Sequence, residues 1–169
     1  MEDSVPEHCS SASEHRGFRG ERLDPQLFGL EPGERLLARA PVSFRGATAA
    51  SARSTFALAA ARRRMNAYHA WREHAEALGF TTAGPEMVIG VTDARLVVWS
   101  TTFWLSRPGS IAGKLPLSKI ADVATTRHGI VTGLALALET GDIVEVEAMR
   151  GRRLRRLADA LQAQIRRPG

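Results

Sequence analysis

Two features of the sequence could carry chemistry: a carboxylate between two apolar runs, and a pair of histidines. Asp93 follows "EMVIGVT" and precedes "RLVVWSTTFW", a position from which a strand-end carboxylate can serve as a general acid. No partner base is evident nearby, and Asp93-Ala94 is typical of a tight hairpin, so we predict a turn. His69 and His74 are five residues apart in a predicted helix and do not share a face, which disfavours a metal site.

The triplet Arg127-His128-Gly129 resembles the signature of histidine phosphatases. That chemistry needs a second catalytic histidine downstream, and His128 is the last histidine of the chain. We therefore predict that the triplet is a turn between two strands. The sequence also lacks a Gly-x-Ser-x-Gly elbow, a phosphate loop and a paired-carboxylate motif. It predicts no catalytic residue, no metal, no cofactor and no enzyme activity.

Two arginine-rich segments are stronger candidates for a site. The first is "ARRRMNAYHAWREH", in which guanidiniums stand beside aromatic rings. Guanidiniums bind lipid phosphates while interfacial rings lie at the headgroup level, so this composition favours an anionic membrane surface. A solvated helix face whose aromatic residues pack on the sheet is the alternative. The candidate residues of this segment are Arg62, Arg63, Arg64, Tyr68, Trp71 and Arg72.

The second segment lies at the start of the last predicted helix, at the positive end of its dipole. Exposed cations in that position are unfavourable by about 0.3–1 kcal/mol each. Either Glu145 and Glu147 compensate them or an anion is recruited, because a helix N-terminus binds phosphate well. The candidate anion- or lipid-binding residues of this segment are Arg150, Arg152, Arg153, Arg155 and Arg156.

Charge is distributed unevenly along the chain. Residues 1–34 contain eight acidic and three basic residues, a net charge of −5, whereas residues 35–169 contain ten acidic and twenty basic residues, a net charge of +10. We predict that residues 1–29 are an acidic, disordered leader and that residues 30–169 form a single domain. The basic excess favours an anionic partner. The single cysteine and the absence of a signal segment indicate the cytoplasm.

Apolar periodicity predicts one strand near residues 35–44, a long helix near 52–78, five or six antiparallel strands and a C-terminal helix. Residues 45–51 are predicted to be a linker of small residues, and "SRPGSIAGK" (106–114) a loop. The fold class is therefore mainly β (α+β): a strongly bent antiparallel sheet or partial barrel with a capping helix and an inserted helix. The apolar face of the capping helix comprises Leu154, Leu157, Ala158, Leu161 and Ile165.

This order of elements resembles a bacterial pleckstrin-homology-like (PH-like) domain of the PH/GRAM superfold, over about residues 30–167. Such domains have a "VTD-x-RL" hairpin, a proline-containing strand leading into "I-x-D/E-V", a strand pair and a capping helix. The inserted helix departs from this pattern, because ordinary members have a short loop there, but the sequence is similar to actinobacterial proteins that share the insertion. In phosphoinositide-binding PH domains that first loop carries basic residues. The resemblance rests on "LEPGERLLARAPVSF" (30–44), "GVTDARLVVWS" (90–100), "KLPLSKIADV" (114–123), "LALALETGDIVEVEA" (134–148) and the terminal helix.

The preferred hypothesis is a non-enzymatic module that attaches to anionic lipid or to a protein partner through its basic face and inserted helix. The protein would then be cytoplasmic, either free or peripheral to the inner face of the membrane. The alternative is self-assembly into a homo-oligomer, in which Met65, Tyr68 and Trp71 are buried against a second copy. Non-specific nucleic-acid binding ranks third, and specific recognition is disfavoured because no reading helix or aromatic base platform is evident.

Overall fold

A computed structural model describes residues 29–52, 57–101, 108–149 and 151–166 of the chain. In these residues seven strands form one antiparallel sheet accompanied by three α-helices. The predicted leader lies outside the described residues, except for Gly29. The helices are α1 (Ala47–Ala52), α2 (Ala57–Ala77) and α3 (Arg152–Ile165). The strands are β1 (Leu36–Phe44), β2 (Glu86–Thr92), β3 (Arg95–Thr101), β4 (Pro108–Pro116), β5 (Ile120–His128), β6 (Val131–Leu138) and β7 (Ile143–Met149).

The strand order is β4-β3-β2-β1-β7-β6-β5, so β1 joins the two halves of the sheet. β1 pairs with β2 from Leu36 to Ser43 but with β7 only at Ser43 and Phe44. The sheet is bent and, among the described strands, does not close into a barrel. The prediction of a mainly β fold with a bent antiparallel sheet and a C-terminal helix is therefore confirmed.

Helix α3 packs on the sheet through the apolar face that its sequence predicts. Leu154, Leu157 and Leu161 are fully buried, and they lie in one core cluster with Leu134 and Leu136 of β6. Burial of each leucine contributes about 1.5–3 kcal/mol. This packing fixes the position of the helix and therefore of its first turn, which lies beside the start of β6.

Both predicted hairpins are present. At the turn between β2 and β3, the Asp93 carboxylate accepts hydrogen bonds from the Arg35 backbone amide and from Arg35 Nε, and the Asp93 amide donates to the Arg35 carbonyl. The hydrogen bond from the Arg35 amide is the main reason that the pKa of Asp93 lies below its ordinary value. Asp93 is therefore a turn residue. The turn between β6 and β7 contains Gly141 at φ 88°, a conformation that favours glycine.

Two segments differ from their predictions. The predicted loop at 106–114 is largely strand β4, which pairs with β3. Its glycines allow close packing: a Cβ added at Gly113 would overlap Thr81. The predicted linker at 45–51 is largely helix α1. The Glu147 carboxylate, about a hundred residues away along the chain, accepts hydrogen bonds from the amides of Gly46 and Thr48 at the start of α1. This distant carboxylate supplies the N-terminal cap, which local sequence could not indicate.

The inserted segment folds back onto the sheet through α2. Residues 53–56, between α1 and α2, lie outside the described residues, and α2 ends close to the predicted boundary. Gly79 at φ 81° follows the helix, and Phe80 donates its amide to the Ala75 carbonyl. Ala75 and Phe80 are both buried in the main core. None of the described helices is long and apolar enough to cross a membrane.

Candidate anion-binding site

The two aromatic residues of α2 are used within the chain. Tyr68 is buried against Phe44 and Ala47, and the Tyr68 and Phe44 ring centroids are 5.8 Å apart. Trp71 is half-buried, and its indole N–H donates to the Glu145 carbonyl at 2.8 Å. The structure therefore places both predicted membrane-contacting rings against the sheet, as the alternative interpretation of this segment expected.

The four arginines of α2 divide into two groups. Arg64 pairs with Glu86 at 2.7 Å, and Arg72 lies 3.8 Å from Glu76 and over the Tyr68 ring. Arg62 and Arg63 are exposed and line none of the described cavities. The α2 segment therefore presents charge to solvent but does not gather its arginines into a concave site.

The arginines of α3 do form part of a concave site, together with residues of the turn between β5 and β6. The cavity has a volume of about 300 Å³ and is open to solvent. No acidic side chain of the described residues lines it. Arginines from β5 and from the start of α3 thus line the same space. The lining residues are Arg127, Gly129, Ile130, Thr132, Gly151, Arg152 and Arg155.

Close contact between β6 and the start of α3 forms the inner wall of this cavity. A Cβ added at Gly151 would overlap the Oγ1 and Cβ atoms of Thr132, so only glycine permits the approach. The first hydrogen bond within α3 runs from the Arg155 amide to the Gly151 carbonyl, so the amides of the preceding helical residues have no intrahelical acceptor. Gly151 cannot supply a side-chain cap. The helix therefore presents amides without an intrahelical acceptor, together with the positive end of its dipole.

The glutamates that could have compensated the α3 arginines are bound elsewhere. The Glu145 carboxylate pairs with Arg45 at 2.7 Å, and the Glu147 carboxylate is buried at the start of α1. The first turn of α3 contains no acidic residue. The described contacts of Glu145 and Glu147 are therefore with Arg45 and with the start of α1, and not with the arginines of α3.

A second arginine site has its counterions within the chain. Arg95 Nε and Nη2 donate to the Glu34 carboxylate at 3.0 and 2.7 Å, and Nη1 donates to Glu31 at 2.6 Å. Glu34 also accepts from the Thr92 hydroxyl. Burial raises the pKa of Glu34, but hydrogen bonds from the Glu31 amide, Thr92 and Arg95 outweigh burial and lower that pKa below its ordinary value. This cluster holds the turn before β1 against the β2–β3 hairpin.

Sequence analysis identified part of the cavity and missed the rest. It predicted Arg152 and Arg155, which line the cavity, together with Arg153 and Arg156, which are exposed and do not line it. Arg150 lies outside the described residues. The triplet from Arg127 to Gly129 is predicted to be a turn, but Arg127 and His128 lie in β5 and only Gly129 lies in the turn. No sequence prediction concerns Thr132. A polar residue at the head of the alternating apolar positions in "TGLALAL" was the available signal for Thr132.

Neither a protein-family model nor a curated protein sequence matches this chain. Within the described ranges, no group of three or more His, Cys, Asp and Glu side chains is arranged to hold a metal ion. The arrangement of donors at the cavity is suited to binding an anion. Arginine-rich concavities act by charge and by fixed hydrogen-bond donors, and both of these favour phosphate or carboxylate.

Proposed function

We propose that this chain is a non-enzymatic, PH-like binding domain that attaches peripherally to an anionic membrane surface. The observation that carries the proposal is the cavity in which Arg127, Arg152 and Arg155 converge with no described carboxylate. A guanidinium presents five N–H donors in a fixed geometry that matches phosphate oxygens. The net charge of +10 on residues 35–169 extends the attraction beyond the cavity.

The architecture supports the PH-like assignment of residues 30–169. A bent antiparallel sheet of seven strands covered by a C-terminal helix is the arrangement that the resemblance implies. Fold alone does not assign a ligand, so the functional argument depends on the cavity. The domain would act in the cytoplasm, at the inner face of the membrane.

Exposed apolar side chains beside the cavity favour a membrane surface over a protein partner. Ile130 lines the cavity and is 67% exposed. Met149 is 62% exposed and lies opposite Val131 in the β6–β7 register, next to Ile130. Large apolar side chains flanked by guanidiniums suit the boundary between lipid headgroups and acyl chains. The turn between β5 and β6 is therefore the proposed membrane-facing end of the domain.

The inserted helix has a smaller role in membrane binding than its sequence predicts. Tyr68 and Trp71 already pack on the sheet and are not available to insert into lipid. The exposed Arg62 and Arg63 supply long-range attraction, which salt screens within about 8–10 Å. The helix thus assists approach to the surface, while the cavity provides the specific contact.

The test is co-sedimentation of the full chain with phosphatidylcholine vesicles, with and without phosphatidylglycerol, at low salt and at about 0.15 M salt. We expect binding to the anionic vesicles that persists at the higher salt. Two variants remove the same charge from different places: R152Q/R155Q from the cavity and R62Q/R63Q from α2. We expect the cavity variant to lose most binding at the higher salt and the α2 variant to lose much less. Equal losses would show that diffuse charge alone is responsible, and no binding to anionic vesicles would refute the proposal.

Self-assembly through the inserted helix has less support. Tyr68 and Trp71, two of the three residues expected at such an interface, make contacts within the chain, which leaves Met65 at 39% exposure. We expect a monomer at micromolar concentration in sedimentation velocity experiments. A stable dimer that M65E dissociates would favour self-assembly instead.

A further inference from the structure

We infer that the arginine-lined cavity is a subsite for the terminal phosphate of a membrane phosphomonoester, with the Thr132 hydroxyl as its innermost donor. The inference rests on the proposed membrane attachment and specifies its chemistry. The evidence is the Thr132 side chain, which is largely buried, lines the cavity and makes no hydrogen bond to a described residue. That side chain lies beside the start of α3, in a cavity that Arg127, Arg152 and Arg155 also line.

Thr132 occupies an inward-facing position of β6 that its neighbours fill with leucine. Alternate residues along the strand, Leu134, Leu136 and Leu138, belong to the main core. Thr132 is only 4% exposed, and its hydroxyl makes no hydrogen bond to any described residue. Valine has nearly the same shape, so what threonine adds at this position is a hydroxyl donor on the cavity wall.

The position of the hydroxyl connects it to the helix. Thr132 Oγ1 lies against the Cα of Gly151, the residue that precedes α3. An anion in contact with Thr132 would therefore lie next to the amides of the first helical turn, which have no intrahelical acceptor. Arg152 and Arg155, three residues apart on one face of α3, line the same space.

The remaining guanidinium comes from the opposite wall. Arg127 Nε donates to the Gly129 carbonyl at 3.2 Å, which holds the side chain over its own turn. Its terminal nitrogens remain as donors at the cavity. The site thus combines donors from β5, β6 and α3, and all of these donors favour a compact group with several acceptor oxygens.

A terminal phosphate fits this geometry better than a phosphodiester. A phosphomonoester presents three non-bridging oxygens with a charge between −1 and −2 near neutral pH, and only one ester bond must leave the cavity. A phosphodiester has two non-bridging oxygens and two ester substituents, so it cannot direct three acceptors toward Thr132 and the helix. At about 300 Å³ the cavity is at the lower limit for ligand pockets, which also favours a small headgroup.

The test compares phosphatidic acid, a phosphomonoester, with phosphatidylglycerol, a phosphodiester, in phosphatidylcholine vesicles of equal surface charge. We expect the full chain to bind phosphatidic acid vesicles more tightly. T132V should weaken that binding about tenfold, the loss expected for one hydrogen bond to a charged group. T132S should restore it, and T125V, which removes an exposed hydroxyl from β5 outside the cavity, should leave it unchanged.

The outcomes separate this inference from the proposed function. Equal binding of both lipids, with no effect of T132V, would overturn the phosphomonoester subsite while leaving membrane attachment intact. Binding to neither lipid would overturn both. Inorganic phosphate and glycerol 3-phosphate, titrated by calorimetry without vesicles, test the source of the phosphate. Weak or undetectable binding supports a membrane lipid, whereas binding as tight as that to vesicles would overturn it in favour of a soluble ligand.

Discussion

Two arginine sites in this domain have opposite relations to the rest of the chain. Arg95 is largely buried, with 15% of its side chain exposed, and the carboxylates of Glu31 and Glu34 satisfy its guanidinium. Arg127, Arg152 and Arg155 line an open cavity to which no described residue contributes a carboxylate. One site is electrostatically complete, and the other has a large excess of positive charge.

The difference separates arginines that are paired within the described residues from those that are proposed to bind an anion. Removing one partner of a buried ion pair is strongly destabilising, because the other charge is left unpaired, and this applies to Arg95 and Glu34. Cations at a helix N-terminus oppose the dipole, so the arginines of α3 reduce stability unless an anion joins them. The proposed binding role therefore depends on the observation that Glu145 and Glu147 pair elsewhere.

The largest effect on stability is expected from R95Q. This change leaves Glu34 buried without its cationic partner, and breaking a largely buried pair should lower the free energy of unfolding by about 3 kcal/mol. Urea denaturation of the full chain measures the loss. R127Q is the matched control, because it removes the same charge from the cavity and should change stability by no more than about 0.5 kcal/mol. Equal losses in the two variants would contradict the division into a structural and a binding site.

The elements that follow from local pattern could be predicted from the sequence. The leucine spacing of α3 and the turn residues Asp93 and Gly141 depend on neighbours a few positions away, and each predicted element is present. Strand β4 was missed because proline and glycine favour loops. Its glycines are needed for close contact with Ser100 of β3 and with Thr81, a requirement set by tertiary structure.

The candidate site could be predicted only in part for the same reason. Arg152 and Arg155 could be predicted as anion-binding candidates because they belong to one arginine-rich segment at the start of a predicted helix. Arg127 and Thr132 reach the cavity through the β5–β6 turn and the contact of β6 with Gly151. Which carboxylates remain near α3 also depends on long-range pairing, since Glu147 is occupied by the start of α1.

Acid should weaken the paired site while leaving the cavity arginines charged. The pKa values of Glu34 and Asp93 lie below their ordinary values of 4.5 and 3.8, so both groups stabilise the fold above these values. Their contribution is lost as the pH falls through the lower pKa values of the folded state. We expect urea midpoints to vary little from pH 7 to about pH 5 and to fall below about pH 4. R95Q should show a shallower acid dependence, because Arg95 helps to lower the pKa of Glu34, whereas the pKa of Asp93 is lowered by Arg35. An unchanged dependence would mean that Arg95 does not lower the pKa of Glu34.

The only expected gain in stability belongs to R152E. A carboxylate in the first turn of α3 interacts favourably with the dipole and with the unpaired amides, which should raise the free energy of unfolding by about 0.5–1 kcal/mol at low salt. The gain should shrink as salt is added. The same change should abolish binding to anionic vesicles, because it puts a negative charge into the cavity. R62E, which reverses an exposed charge on α2, should leave stability nearly unchanged. If R152E instead destabilised the chain as much as R95Q does, Arg152 would be part of the structural framework, and the contrast between the two arginine sites would not hold.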